Sequence, residues 1–254
     1  MRLFLTLVVI LAVAYVVDLI RPNTSEGARR PSLQPSRAAS AARQELESAR
    51  YAATSADAAA LQMPQTASEC EATLRKAGVD YRVLPGKVAS GIAWPIRLTG
   101  PIGGVRVEGS GKPDAATNFL DCGLATTLLA WAKTLRAHGV VAIEHFSMYR
   151  PQAQVDGTRK PSGHASGRAI DMGRIELQDG RILSVLDDWK SRTPNGDPCG
   201  RWRDEPAGRL LRKLVCDAAA RGLFQTIVTP HHNAAHANHV HLEIDPAAGE
   251  LWIR

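Results

Sequence analysis

The chain has 254 residues, 44% of them hydrophobic, with a formal net charge of +6 and an isoelectric point near 9.4. That length suits one globular domain of moderate size with extensions. The basic balance favours anionic partners such as cell-wall polymer or lipid head groups, but no basic patch is interleaved with aromatics, so a nucleic-acid partner is not expected.

Residues 1–21 open with Met1-Arg2, run without a charge over residues 3–17, and end in Asp18-Leu19-Ile20-Arg21. A membrane span needs roughly 17–25 residues, and Leu19-Ile20 extend the run far enough for an uncleaved anchor. The alternative is a cleaved export segment, since Ala12-Val13-Ala14 has small-residue spacing, although a cut there leaves less than the usual roughly 15–30 residues. Residues 22–67 are rich in Arg, Ser, Pro, Ala and Gln and lack Phe and Trp. They bury too little apolar surface to fold alone and predict a flexible tether, with a loose Ala-rich helix over residues 44–61.

The folded part spans residues 68–254. Residues 69–78 predict a short helix stopped at Gly78, residues 81–84 a strand, and residues 96–107 short strands and turns. Leu124, Leu128, Leu129, Trp131 and Leu135 recur at helical spacing, so residues 121–138 predict the clearest helix, with Gly139 as its stop. A buried strand follows over residues 140–143 and runs on toward residues 148–151. Residues 169–172 predict a strand, residues 206–222 a second amphipathic helix, residues 224–228 a strand, and residues 239–244 the last core strand. The expected class is α+β, a small antiparallel sheet flanked by helices. The four cysteines (Cys70, Cys122, Cys199, Cys216) form no CxxC pair; an even count in an exported chain implies two disulfides. Three pairings are possible, and sequence order favours Cys70–Cys122 with Cys199–Cys216.

Chemistry concentrates in two stretches. The first is Ser162-Gly163-His164-Ala165-Ser166-Gly167-Arg168-Ala169-Ile170-Asp171; the second is His236-Ala237-Asn238-His239-Val240-His241-Leu242-Glu243. A strand over the second puts His239, His241 and Glu243 on one face and Val240 and Leu242 on the other. A strand at Asp171 turns its carboxylate away from Ile170, and a loop containing Gly163 and Gly167 can bring His164 back beside it. Imidazoles with one carboxylate suit a borderline cation such as Zn²⁺, and three protein ligands leave a position for water. His236 is placed to line the site or orient a ligand, and Glu243 to act as a neighbouring or edge carboxylate. His138, His145 and Trp189 read as structural, and His231 and His232 as solvent-exposed.

The order Ser-x-His-x₆-Asp followed by His-x-His resembles the zinc peptidases grouped with lysostaphin, D-alanyl-D-alanine carboxypeptidases and the hedgehog fold. Within that group the chain is most similar to the bacterial extensin-like C-terminal domain family, over about residues 69–245. Tyr149-Arg150, Asp179-Gly180-Arg181, Asp188-Trp189 and Cys216 carry the likeness beside the two stretches above. The resemblance implies His164, Asp171 and His241 as Zn²⁺ ligands and His239 as general base, taking a proton from water and passing it to the leaving amine. It implies Arg150 as a catalytic or substrate-gripping cation and Ser162 as a substrate-binding hydroxyl. Two departures stand out. Asn238 and His239 occupy positions where many D-alanyl-D-alanine peptidases carry a glutamate base, and Tyr149 stands where the family often has a cysteine, so one usual disulfide is expected to be missing.

The expectation is a membrane-anchored zinc hydrolase, facing the periplasm or cell envelope, that cleaves amide bonds in peptidoglycan peptides. The competing reading is a non-catalytic, zinc-containing wall-binding or scaffold protein of the envelope.

Overall fold

The structure is a computed structural model that describes residue 64 and residues 66–190, 192–193, 196–200, 202–245, 247 and 251–254. The expected anchor, and the tether up to residue 63, lie outside the described residues. Among the described residues no helix is long and apolar enough to cross a membrane.

Helix α1 (Ala67–Lys76) starts where Thr66 accepts a hydrogen bond from the Glu69 amide at 3.2 Å, so the helix begins slightly earlier than the sequence suggests. Strands β1 (Tyr81–Val83) and β2 (Pro95–Leu98) pair antiparallel, β3 (Arg106–Gly109) joins another sheet, and β4 (Leu120–Asp121) completes a three-stranded sheet in the order β1-β2-β4. Helix α2 (Cys122–Ala137) follows directly. Asp121 caps it, accepting from the Gly123 amide at 2.9 Å and also from the Trp94 amide at 3.1 Å. Burial pushes the Asp121 carboxyl up while these amides pull it down. The helix ends at His138, and Gly139 takes φ +77°, so the expected stop is observed.

Strands β5 (Val140–His145), β6 (Ala169–Leu177), β7 (Ile182–Ser184), helices α3 (Val185–Asp188) and α4 (Pro206–Ala220), and strands β8 (Thr226–Val228), β9 (Val240–Glu243) and β10 (Trp252–Ile253) complete the domain. The main sheet has seven strands in the order β10-β8-β9-β6-β5-β3, with β7 paired to β6. The class is α+β as expected, but the sheet is neither small nor purely antiparallel: β3 runs parallel to β5, and β10 parallel to β8. Both exceptions are outermost strands that arrive from distant parts of the chain, a long-range choice that local pattern does not carry.

Two further expectations need correction. The strand after α2 stops at His145 instead of running on to residues 148–151; there the Phe146 amide bonds the Asp171 carbonyl, and Gln152 takes φ +61° in the turn beyond. The strand at Asp171 is longer than predicted, reaching Leu177 and returning through the Asp179-Gly180 turn as β7.

The core lies between the main sheet and the helices. Ile170 and Met172 of β6, Val240 and Leu242 of β9, and Ile227 of β8 pack in one cluster with Leu128 and Trp131 of α2 and Leu211 and Leu214 of α4. Trp131 meets Phe224 edge-on at 5.6 Å. Trp189 is fully buried, as expected of a core residue; the Arg212 guanidinium lies over its ring at 4.5 Å and pairs with Asp204 at 2.8 Å.

Both disulfides follow sequence order, Cys70–Cys122 and Cys199–Cys216, and no described cysteine is free. Tyr149 is buried against Ala89 and Ile92, and its hydroxyl donates to the Ser90 carbonyl at 2.6 Å.

The two bridges differ in the length of chain they close, 52 residues for Cys70–Cys122 and 17 for Cys199–Cys216. Chain entropy then makes the first worth about 4 kcal/mol and the second about 3 kcal/mol. Urea unfolding of paired Cys→Ser variants should show the larger loss for Cys70/Cys122, and the reverse order would sink the argument. His145 is fully buried, and neither ring nitrogen has a partner among the described residues. Burial holds its pKa down at about 4, against an ordinary 6.5. Between those values the unfolded chain binds a proton that the folded one refuses, so stability is full above pH 6.5 and falls as pH drops toward 4. The loss across that window is about 3 kcal/mol. His145→Leu should flatten the pH dependence of the urea midpoint there; an equally steep dependence would exclude His145 as its source.

Candidate functional site

The β6–β9 register brings the two chemistry-bearing stretches together. Asp171 stands directly opposite His241, with Ile170 opposite Leu242 and Met172 opposite Val240. The apolar pairs face the core, so Asp171 and His241 face the other way. His164 comes back to them on a short 3₁₀ turn (Gly163–Ser166) that Ser162 caps, accepting from the His164 amide at 3.4 Å.

Two glycines are required there. Gly167 closes the turn at φ +64°, and a Cβ would lie 2.9 Å from the Asp121 amide nitrogen. A Cβ on Gly163 would overlap the Glu243 carboxyl group, whose Oε2 accepts from the Gly163 amide at 3.0 Å.

His164, Asp171 and His241 are all buried, and one ligand atom from each lies within 4.8 Å of the others. The hydrogen bonds fix which atoms these are. His164 Nδ1 is 3.1 Å from the Met148 carbonyl, which can only accept, so Nδ1 carries the proton and Nε2 a lone pair. His241 Nε2 is 2.9 Å from the Glu243 carboxylate, so Nε2 donates and Nδ1 is turned inward. His164 Nε2 and His241 Nδ1 are 3.1 Å apart, and Asp171 Oδ1 lies 2.9 Å from the first and 3.0 Å from the second. Three acceptors converging at this distance repel unless a proton or a cation sits among them. Two imidazole nitrogens and a carboxylate oxygen, each oriented by an outer partner, form a donor set that fits a divalent metal.

The electrostatics agree. Burial works against the Asp171 carboxylate, yet the His164 and His241 imidazoles packed against it hold its pKa well below the usual carboxylate range. Burial likewise works against a charged His241, but Asp171 and Glu243 raise its pKa to about 9, so without a metal a proton on His241 occupies the cluster. Burial lowers His164, and Asp171 only partly offsets that. Ser147 Oγ donates to Asp171 Oδ2 at 3.2 Å.

The other expected residues surround this cluster along a cleft of about 400 Å³. His239 lies just before β9 rather than within it; its Nε2 is 3.6 Å from Asp171 Oδ1, and Phe146 meets its ring edge-on. His236 is half-buried with its ring 5.0 Å from that of His239. Burial and the neighbouring imidazoles lower His236 to about 4, and burial foremost, with His241 adding to it, lowers His239. Both are neutral near pH 7. Arg150 is half-exposed, with Nη2 3.6 Å from Asp171 Oδ2, and Ser162 lines the cleft. His231 and His232 are not solvent-exposed as expected. His231 is buried against Trp189 and Trp202 and accepts from Arg212 at 2.9 Å, while His232 lines the cleft beside Trp252.

Sequence reasoning undervalued Glu243, although its place two residues after His241 on the same strand face was a usable signal. Ser147 and the Met148 carbonyl carried none, because a bend after β5 delivers them. The Glu243–Gly163 contact gives a test in metal-free protein. Gly163→Ala should destabilise by about 1–3 kcal/mol, because the methyl group displaces the carboxylate. Glu243→Ala frees that space, so the double variant should lose clearly less than the sum of the single losses. Strict additivity in urea unfolding would refute the contact.

No curated protein and no solved structure matches the chain. A family model described as extensin-like protein C-terminus matches residues 68–252, a span that takes in the three-stranded sheet, the main sheet up to Trp252 and the whole His–Asp–His cluster. With nearly three-quarters of its length covered by that model, the chain belongs to the extensin-like C-terminal family.

Proposed function

We propose that the domain is a zinc-dependent hydrolase cleaving amide bonds in cell-wall peptidoglycan peptides, as a carboxypeptidase or an endopeptidase. The observation that carries this reading is the convergence of His164 Nε2, Asp171 Oδ1 and His241 Nδ1, with the outward nitrogen of each imidazole already bonded. Zn²⁺ held there would polarise the scissile carbonyl and acidify the attacking water. His239, neutral and with Nε2 beside the cluster, takes the proton from water and returns it to the leaving amine. Arg150, exposed on one side and paired to Asp171 on the other, grips a substrate carboxylate or the developing oxyanion. Ser162 on the cleft wall offers a hydroxyl to the substrate backbone. The peptidoglycan assignment rests on the likeness of the Ser-x-His-x₆-Asp and His-x-His stretches to zinc peptidases. The two disulfides support an oxidising envelope compartment, with the N-terminal apolar run as the proposed anchor.

One distance favours a second reading. His239 Nε2 at 3.6 Å from Asp171 Oδ1 is near enough to join the cluster as a fourth ligand, which would close the site and make it structural, as in a wall-binding module. Metal analysis joined to muropeptide digestion separates the two. The hydrolase predicts one zinc in wild type, zinc lost in His241→Ala, and zinc retained in His239→Ala with cleavage reduced roughly 10²–10⁴-fold. Zinc lost from His239→Ala, or a zinc-loaded wild type that releases nothing from muropeptides, favours the binding module over the hydrolase.

A further inference from the structure

Two asparagines outside the ligand set share one arrangement. Asn233 Oδ1 accepts from the His236 backbone amide at 3.2 Å and lies 2.7 Å from His236 Nδ1. Only the oxygen end of an amide accepts from a backbone N–H, so the Asn233 side chain has a fixed orientation and His236 Nδ1 must bear the proton. Asn238 Oδ1 lies 2.8 Å from His239 Nδ1 and repeats the contact on the next imidazole. A neutral imidazole has one ring proton; with that proton on Nδ1, each Nε2 carries a lone pair. The rings tilt at 41° to one another and line the same cleft, and His239 Nε2 faces Asp171. A free histidine side chain prefers its proton on Nε2, the opposite tautomer, which would point a donor at the cluster and leave His239 with no lone pair there.

We propose that Asn233 and Asn238 are positioning residues that hold His236 and His239 as Nδ1–H tautomers, so that two Nε2 lone pairs are presented to the cleft. The tautomer assignment stands on the hydrogen bonds alone; its consequence for turnover rests on the hydrolase reading above. Neither asparagine belongs to the cluster, so each acts through its histidine.

Nitrogen NMR on the metal-free, full-length chain in detergent, with ¹⁵N-labelled histidine near neutral pH, reads the tautomers directly. His236→Gln and His239→Gln identify the two rings by loss of signal. The expected result is a protonated Nδ1 and a bare Nε2 on both. Asn238→Leu should move His239 toward the Nε2–H form, and Asn238→Asp, which keeps an acceptor oxygen, should preserve the wild-type signature. Asn233→Leu should do the same to His236; because Asn233 also caps a turn, the wild-type spectrum serves as the independent check there. An Nε2–H signature on either wild-type ring, or an unchanged His239 signature in Asn238→Leu, overturns the proposal. In zinc-loaded enzyme Asn238→Leu should lower kcat roughly 10–100-fold with KM and zinc content unchanged, and Asn238→Asp should recover most of it. An unchanged kcat despite a shifted tautomer removes the positioning role. A wild type that shows both tautomers as assigned but cleaves no muropeptide upholds the lock and fails the hydrolase.

Discussion

The antiparallel register of β6 and β9 is the constraint on which the site depends. It sets Asp171 opposite His241 with no loop between them, and it is held by apolar pairs on the other face, Ile170 with Leu242 and Met172 with Val240. All four of those side chains are fully buried. A slip of one residue would carry Asp171 into the core and the apolar side chains into the cleft, so the hydrophobic face enforces the polar one. The carboxylate and one imidazole are therefore placed by paired strands at the centre of the sheet, and only His164 arrives on a turn.

Placing a carboxylate and two imidazoles inside the protein is unfavourable unless each is bonded. The structure meets that demand in layers. Asp171 accepts from Ser147 and from protonated His241 and pairs with Arg150; Glu243 accepts from His241 and from the Gly163 amide; His164 donates to the Met148 carbonyl. These same bonds decide which nitrogen of each ring faces inward. The tightness of the layer also explains Gly163, whose missing side chain leaves room for the Glu243 carboxyl group. His145, at the end of β5, is buried with both ring nitrogens unpaired and answers differently, by staying neutral down to about pH 4.

Family membership covers the fold and the cluster together, but chemistry belongs to sites and not to folds. On the proposed reading, an enzyme and a binding module would differ here in small features: the place of His239 relative to Asp171 Oδ1, and the tautomer His239 would carry.

Much of the architecture was legible in the chain. Helical spacing from Leu124 to Leu135 and the glycine after it marked α2, and Cys70, Cys122, Cys199 and Cys216 pair in sequence order. The period-two alternation from Val240 to Glu243 put His241 and Glu243 on one face, with His239 just outside the strand, and His164 and Asp171 were marked by their glycine-punctuated spacing. These are local signals, determined by backbone periodicity and turn chemistry. Tertiary structure alone decided that β3 and β10 add parallel edges, that the chain bends after His145 to deliver Ser147 and Met148, that His231 is buried, and that Glu243 orients His241. Each of those depends on which distant segments meet, and the energy that selects them is the burial of apolar side chains shared across the whole sheet, which no local window contains.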